Sequence, residues 1–154
     1  MGYYTNTVES LISIPKAGFP AICKHLRDIR FDDPSVNAKM MSGGSYEPGH
    51  EGKTAAWYSW VDTKELTQKM QEDDLLGVFV LFGFEPSEDQ SGNIIGLSYN
   101  TKSGDEEALL KAIAPFMEDG NYLWFQGEDA THYRFHWRNQ ELHYSEGRIQ
   151  FPPM

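Results

Sequence analysis

Five side chains in the last quarter of the chain are of types that can do chemistry together. His132, Arg134, His136 and Arg138 occupy alternate positions of one run, and His143 follows five residues after Arg138. Their partners in the alternation are Thr131, Tyr133, Phe135 and Trp137. Strict alternation over eight residues predicts a half-buried strand with the basic side chains on its polar face. Asn139-Gln140 is then a two-residue hairpin turn. That turn sets Arg138 opposite Glu141, Trp137 opposite Leu142, His136 opposite His143 and Phe135 opposite Tyr144. Facing Cβ atoms lie roughly 4.5–5.5 Å apart, so His136 and His143 can approach one metal ion. His132 stands about 13 Å further along the strand and cannot complete the set. No metal and no cofactor is expected. Contact with a small anion or a partner suits the stripe better.

Other chemistries find less support. The sequence contains no Gly-x-Ser-x-Gly, no phosphate-cradling Gly-x-x-x-x-Gly-Lys, no His-Glu-x-x-His and no Gly-x-Gly-x-x-Gly. Cys23 falls beside the apolar stripe of a helix, where a thiol behaves as a small hydrophobe. Being the single cysteine, it excludes an internal disulfide and any zinc site built on cysteine pairs. Asp73-Asp74 and the group Glu85, Glu88 and Asp89 lack the calcium-loop pattern and read as solvated helix ends and turns. Trp57, Tyr58 and Trp60 sit so close in one strand that aromatic rings must show on both of its faces. A covering helix or a ligand would have to meet one of those faces.

The elements that position these groups can be read in order. Residues 3–14 form a first strand, ended by Pro15. A helix over Phe19–Ile29 carries Ile22, Leu26 and Ile29 on one face. Residues 31–54 hold two prolines and four glycines and form a long irregular loop. Residues 55–61 return as a strand. Asp62 and Glu65 make a capping box, with Val61 and Leu66 at the staple positions, and Gly77 is expected to close that helix. Val78–Phe84, apolar throughout, is expected to be a central strand with Leu81 in the core. Residues 93–99 pair with it beyond an acidic turn. Ser103 and Glu106 open another helix, which Pro115 kinks or ends. Residues 121–126 form a strand, and the hairpin completes the chain. An offset of 43 residues relates Asp62 to Asp105, Leu66 to Leu109, Gly77 to Gly120, Phe82 to Phe125 and Glu85 to Glu128. Duplication and convergent helix chemistry both account for it.

The 154 residues make one domain, spanning 1–154. The fold class is α+β: an antiparallel-rich sheet of six to eight strands with two or three helices on one face. Its expected core is a ferredoxin-like β-α-β-β-α-β unit over 55–138, extended by the C-terminal hairpin. Net charge is −10, and residues 31–129 carry nineteen acidic against six basic side chains. Such a field repels phosphate backbones and counts against nucleic-acid binding by the whole body. It either keeps the domain soluble or guides it to a basic partner. No apolar run approaches membrane-spanning length, no secretory signal opens the chain, and the lone cysteine fits a reducing cytoplasm.

The opening Met1-Gly-Tyr-Tyr-Thr5 and the closing elements Gly127-Glu128, Trp137, Glu146–Phe151 and Pro152 resemble a family of small uncharacterised proteins of bacteria and their phages. Asp129-Ala130 stands where that family repeats Gly-Glu. The resemblance implies no activity and assigns no catalytic residue. It implies the cytoplasm of a bacterium or of a phage-infected cell. The expected function is non-enzymatic: an accessory or inhibitory factor acting through protein–protein contact, with Trp57, Tyr58, Trp60, Glu85, Glu88 and Asp89 as contact residues. Two alternatives stand beside it. One is an immunity-type antitoxin whose acidic face neutralises a basic nuclease. The other is a small-ligand binder or enzyme using the hairpin's His132, Arg134, His136, Arg138 and His143.

Overall fold

Aromatic and β-branched residues favour an extended chain at the start, and they form β1 (Tyr4–Leu11) in the computed structural model, which describes residues 3–33, 61–102 and 104–147. Pro20 sits in the first turn of α1 (Phe19–Asp28), where a missing N–H is no loss. That helix buries Phe19, Ile22, Cys23 and Leu26. Of the long stretch 31–54, only residues 31–33 are described; Phe31 is buried and stacks on Phe82 with ring centroids 5.3 Å apart. Asp62 caps α2 (Thr63–Gln71) by accepting from the N–H groups of Lys64 at 2.9 Å and Glu65 at 3.3 Å. Val61 and Leu66 are buried on either side of the cap.

The next segment corrects the sequence reading. The helix expected to continue to Gly77 stops at Gln71, and the expected strand Val78–Phe84 is mostly a helix, α3 (Leu75–Leu81). Asp73 breaks the chain with a left-handed φ of 57°, held by an ion pair with Arg27 at 3.1 Å. Asp74 restarts it, its carboxylate accepting from the Gly77 N–H at 2.9 Å. Leu75, Val78, Phe79 and Phe82 are buried at helical spacing, while Val80 is exposed. Leu81, expected in the core, is only partly buried. An all-apolar run carries no period to choose between helix and strand; the cap at Asp74 and the break at Asp73 decide it. Gly83, not Gly77, closes the helix. Its φ is 96°, and its N–H donates to the Val80 carbonyl at 3.0 Å.

β2 (Phe84–Glu88) and β3 (Ile94–Lys102) follow as a hairpin. α4 (Glu106–Ala112) comes next, with Asp105 at its N-cap position making no side-chain cap bond and Pro115 in a 3-10 turn just beyond. The chain ends as β4 (Tyr122–Gly127), β5 (His132–Arg138) and β6 (Glu141–Gly147). The described residues thus hold four α-helices rather than two or three, because one expected helix splits and one expected strand is helical. The fold is α+β. All six strands form one antiparallel sheet in the order β2-β3-β1-β4-β5-β6. β3 lies between β1 and β2, and β1 lies between β3 and β4, so two strand–helix–strand units interlock. Among the described residues the first strand of the interlocked units is β1. The strand expected at 55–61 lies outside the described residues except for Val61, which is irregular.

The 43-residue offset does not hold at residue level. Phe79–Leu81 are helical where Tyr122–Trp124 are extended, and Gly77 is inside a helix where Gly120 occupies a turn with φ 97°. One core joins the helices to alternate residues of the sheet. Phe125 is at its centre, meeting Tyr99, Tyr133 and Phe135 at centroid distances of 5.9, 5.2 and 5.8 Å. The Trp137 indole N–H donates to the Leu110 carbonyl at 3.1 Å, tying β5 to α4. Among the described residues no helix is long and apolar enough to cross a membrane.

Phe125→Ala should lower unfolding free energy by about 3–5 kcal/mol in a denaturant titration, since the ring is fully buried among other rings. Gly83→Ala should cost at least about 1–2 kcal/mol by the same measurement, from the left-handed backbone alone. A Cβ there would also stand 2.8 Å from the Tyr99 ring.

Candidate functional site

The hairpin register is the one the sequence predicts. Arg138 faces Glu141, Trp137 faces Leu142, His136 faces His143 and Phe135 faces Tyr144. Asn139 and Gln140 both adopt positive φ, 53° and 62°, the signature of a type I′ turn. Phe135 and Trp137 are buried toward the helices, so His132, Arg134, His136, Arg138 and His143 share the opposite face.

Strand pairing extends that face into a grid. One row reads Leu11, Tyr122, His136, His143 across β1, β4, β5 and β6. The next reads Glu9, Trp124, Arg134, Ser145, and the third Asn6, Gln126, His132, Gly147. A register shift between Thr7 and Glu9 leaves Val8 out of the pairing and brings Glu9 across from Trp124. Tyr122 and Trp124 were not anticipated as site residues. Their signal was present: Tyr122, Trp124 and Gln126 alternate with Leu123, Phe125 and Gly127, the same period that revealed β5.

The middle of the grid is concave. A groove of about 460 Å³ opens there, lined by Glu9, Tyr122, Trp124, His132, Arg134 and Ser145, with residues 146 and 147 at its rim. The Trp124 indole N–H donates to Nδ1 of His132 at 3.0 Å. His132 Nδ1 is thus an acceptor, and the neutral imidazole carries its proton on Nε2. The Tyr122 hydroxyl donates to the Glu9 carboxylate. That bond raises the Tyr122 phenol above its usual range. Arg134 places its guanidinium carbon 5.6 Å from the centre of the Tyr122 ring, a cation–π contact. Beside the groove, His136 and His143 stack with centroids 5.3 Å apart. His136 Nδ1 is buried without a hydrogen-bond partner. Desolvation first, then Arg134, His143 and Arg138, lowers the His136 pKa. The ring is therefore neutral at pH 7.

The other expected site residues lie elsewhere. Glu85 and Glu88 are exposed on β2, at the far edge of the sheet. Asp89 is occupied in the β2–β3 turn: its carboxylate accepts from the N–H groups of Ser91 and Asn93 and from the Asn93 amide, each at 2.9 Å. Trp57, Tyr58 and Trp60 fall outside the described residues. Cys23 is fully buried, and burial pushes its thiol up to about 11. No three His, Cys, Asp or Glu side chains come together as a metal set among the described residues. No family model, curated protein or solved structure matches the chain.

The His136 shift has a definite sign. The unfolded chain takes up the proton near pH 6.5, before the folded one does. Stability should therefore fall as pH drops from 6.5 toward the folded value. An NMR titration should place His136 below 6.5, and Arg134→Gln should move its midpoint upward.

Proposed function

We propose that this chain is a non-enzymatic binding protein of the cytoplasm that takes its ligand on the face of the sheet that no described helix covers, over β1, β4, β5 and β6. The observation that carries this reading is the groove between Trp124 and Arg134, whose volume of about 460 Å³ is that of a small-molecule site. It is made of rings and one cation on strands anchored to the core, so little ordering is lost when a ligand arrives. Arg134, His136 and His143 serve here as contact and positioning groups.

A second reading keeps a basic protein partner, steered by the acidic middle of the chain. Its footing is at the other edge of the sheet, where Glu85 and Glu88 are exposed and Ile95 is 52% exposed nearby. An accessory, inhibitory or antitoxin role would act through that edge. Electrostatic steering of this kind speeds association at low salt.

The two readings separate in one experiment. A panel of small metabolites is screened by thermal shift, and hits are mapped by amide chemical-shift changes. Perturbations centred on Trp124, His132 and Arg134 are expected, lost in Trp124→Ala and in Arg134→Ala and kept in Glu85→Lys/Glu88→Lys. No hit from the panel, with a partner protein whose binding the lysine pair abolishes, would place function at the β2 edge instead.

A further inference from the structure

We infer that the groove binds a small aromatic monocarboxylate, its ring against Trp124 and its carboxylate on Arg134. This inference rests on the reading of that sheet face as the binding surface, and adds the chemistry of the ligand.

The first observation is the state of the cation. One carboxylate lines the same groove as Arg134, that of Glu9. It is engaged by a phenol instead, because Tyr122 donates to it. Arg134 makes no ion pair with any described residue, and it leans on the Tyr122 ring. A guanidinium held by stacking keeps its planar fork of N–H donors available, and the fork matches a carboxylate in two parallel hydrogen bonds.

The second observation is what surrounds that fork. Ser145 stands directly across from Arg134 and offers a hydroxyl. His132 presents Nε2–H as a donor, because its Nδ1 is taken by Trp124. The same bond fixes the indole edge, so Trp124 is a rigid platform rather than a mobile side chain. At the rim, Gly147 faces His132 with no side chain of its own. Donors therefore cluster on one side of the groove and rings on the other, about one ring width apart, since neighbouring strands are about 4.8 Å apart.

The charge balance selects among anions. One arginine stands beside one carboxylate, Glu9, in the groove, on a chain of net charge −10. A single negative charge is met by Arg134; a phosphate dianion or a nucleic-acid strand brings more charge than the site can neutralise. An alkyl carboxylate would bring no ring to the Trp124 face.

Titration calorimetry of the full chain tests this with indole-3-acetate, with the neutral tryptophol, with acetate and with adenosine 5′-monophosphate. Indole-3-acetate should bind about ten- to hundredfold tighter than tryptophol, the worth of a charge-assisted pair. Arg134→Gln should erase that preference without changing the melting temperature by more than a degree or two. Trp124→Leu should weaken both indole ligands about tenfold. Equal affinity for the charged and neutral indoles, or tighter binding of the nucleotide, overturns the inference. If no aromatic carboxylate binds while a different panel compound perturbs Trp124 and Arg134, the inference fails and the sheet-face reading stands. If nothing perturbs those residues, both fall.

Discussion

The side-chain period of a strand is two, and this molecule uses both halves of it on the same two strands, β4 and β5. Phe125, Phe135 and Trp137 point to the helices, while Trp124, Arg134 and His136 point away. A slip of one residue between β4 and β5 would put Phe135 and Trp137 into water and Arg134 and His136 into the core. Burying each large ring contributes roughly 1.5–3 kcal/mol, and burying an unpaired guanidinium costs more than that. The Asn139-Gln140 turn pins the parity between β5 and β6, accepting two left-handed residues that glycine would adopt with less strain. The binding face is thus positioned by the core behind it and needs no scaffold of its own.

Parity is adjusted once, and the adjustment falls at the site. Without the irregularity after Thr7, Val8 would face Trp124. With it, Glu9 takes that place and binds the Tyr122 hydroxyl, while Val8 is displaced and 45% exposed. A bulge that exposes an apolar side chain has a cost, and the gain is a carboxylate beside two rings. On the other flank, β6 contributes Ser145 and Gly147, small residues that keep the groove open. The shape of the face follows from these local choices on the two strands that border β4 and β5.

How much of this was legible follows from where the sequence carries a period. Residues 131–144 alternate without a fault around an evident turn, so their register was readable to the residue. Asp62 announced its helix because a side-chain oxygen three residues before Glu65 has a specific partner to cap. Residues 75–84 were misread because every face of that segment is apolar, and the deciding contacts are polar ones outside it: Asp73 to Arg27, Asp74 to Gly77. Long-range order was illegible for a different reason. The place of β1 as the first strand of the interlocked units depends on pairing across almost a hundred residues, such as Tyr4 with Lys102. No local pattern records that pairing. The site was half legible: its basic stripe stood out, and its aromatic floor did not, because β4 was read as a strand without assigning its faces.

The net charge looked like the most direct functional clue, and the structure changes its meaning. Many of the acids are already engaged. Asp62 and Asp74 cap helices, and Asp89 builds a turn. Asp28 and Asp73 pair with Lys24 and Arg27. Glu9, Asp129 and Glu146 accept from the phenols of Tyr122, Tyr3 and Tyr144. A carboxylate with a hydrogen-bonded partner still contributes to the distant field, but its lone pairs are no longer available to a ligand. The phenol pairs matter most, because a phenol satisfies a carboxylate without neutralising it with a cation. The groove therefore holds one negative charge, Glu9, that already accepts a hydrogen bond, and one positive charge, Arg134, with no ion-pair partner among the described residues. Selectivity in such a place is decided by available donors rather than by net charge, and the charged ones belong to Arg134.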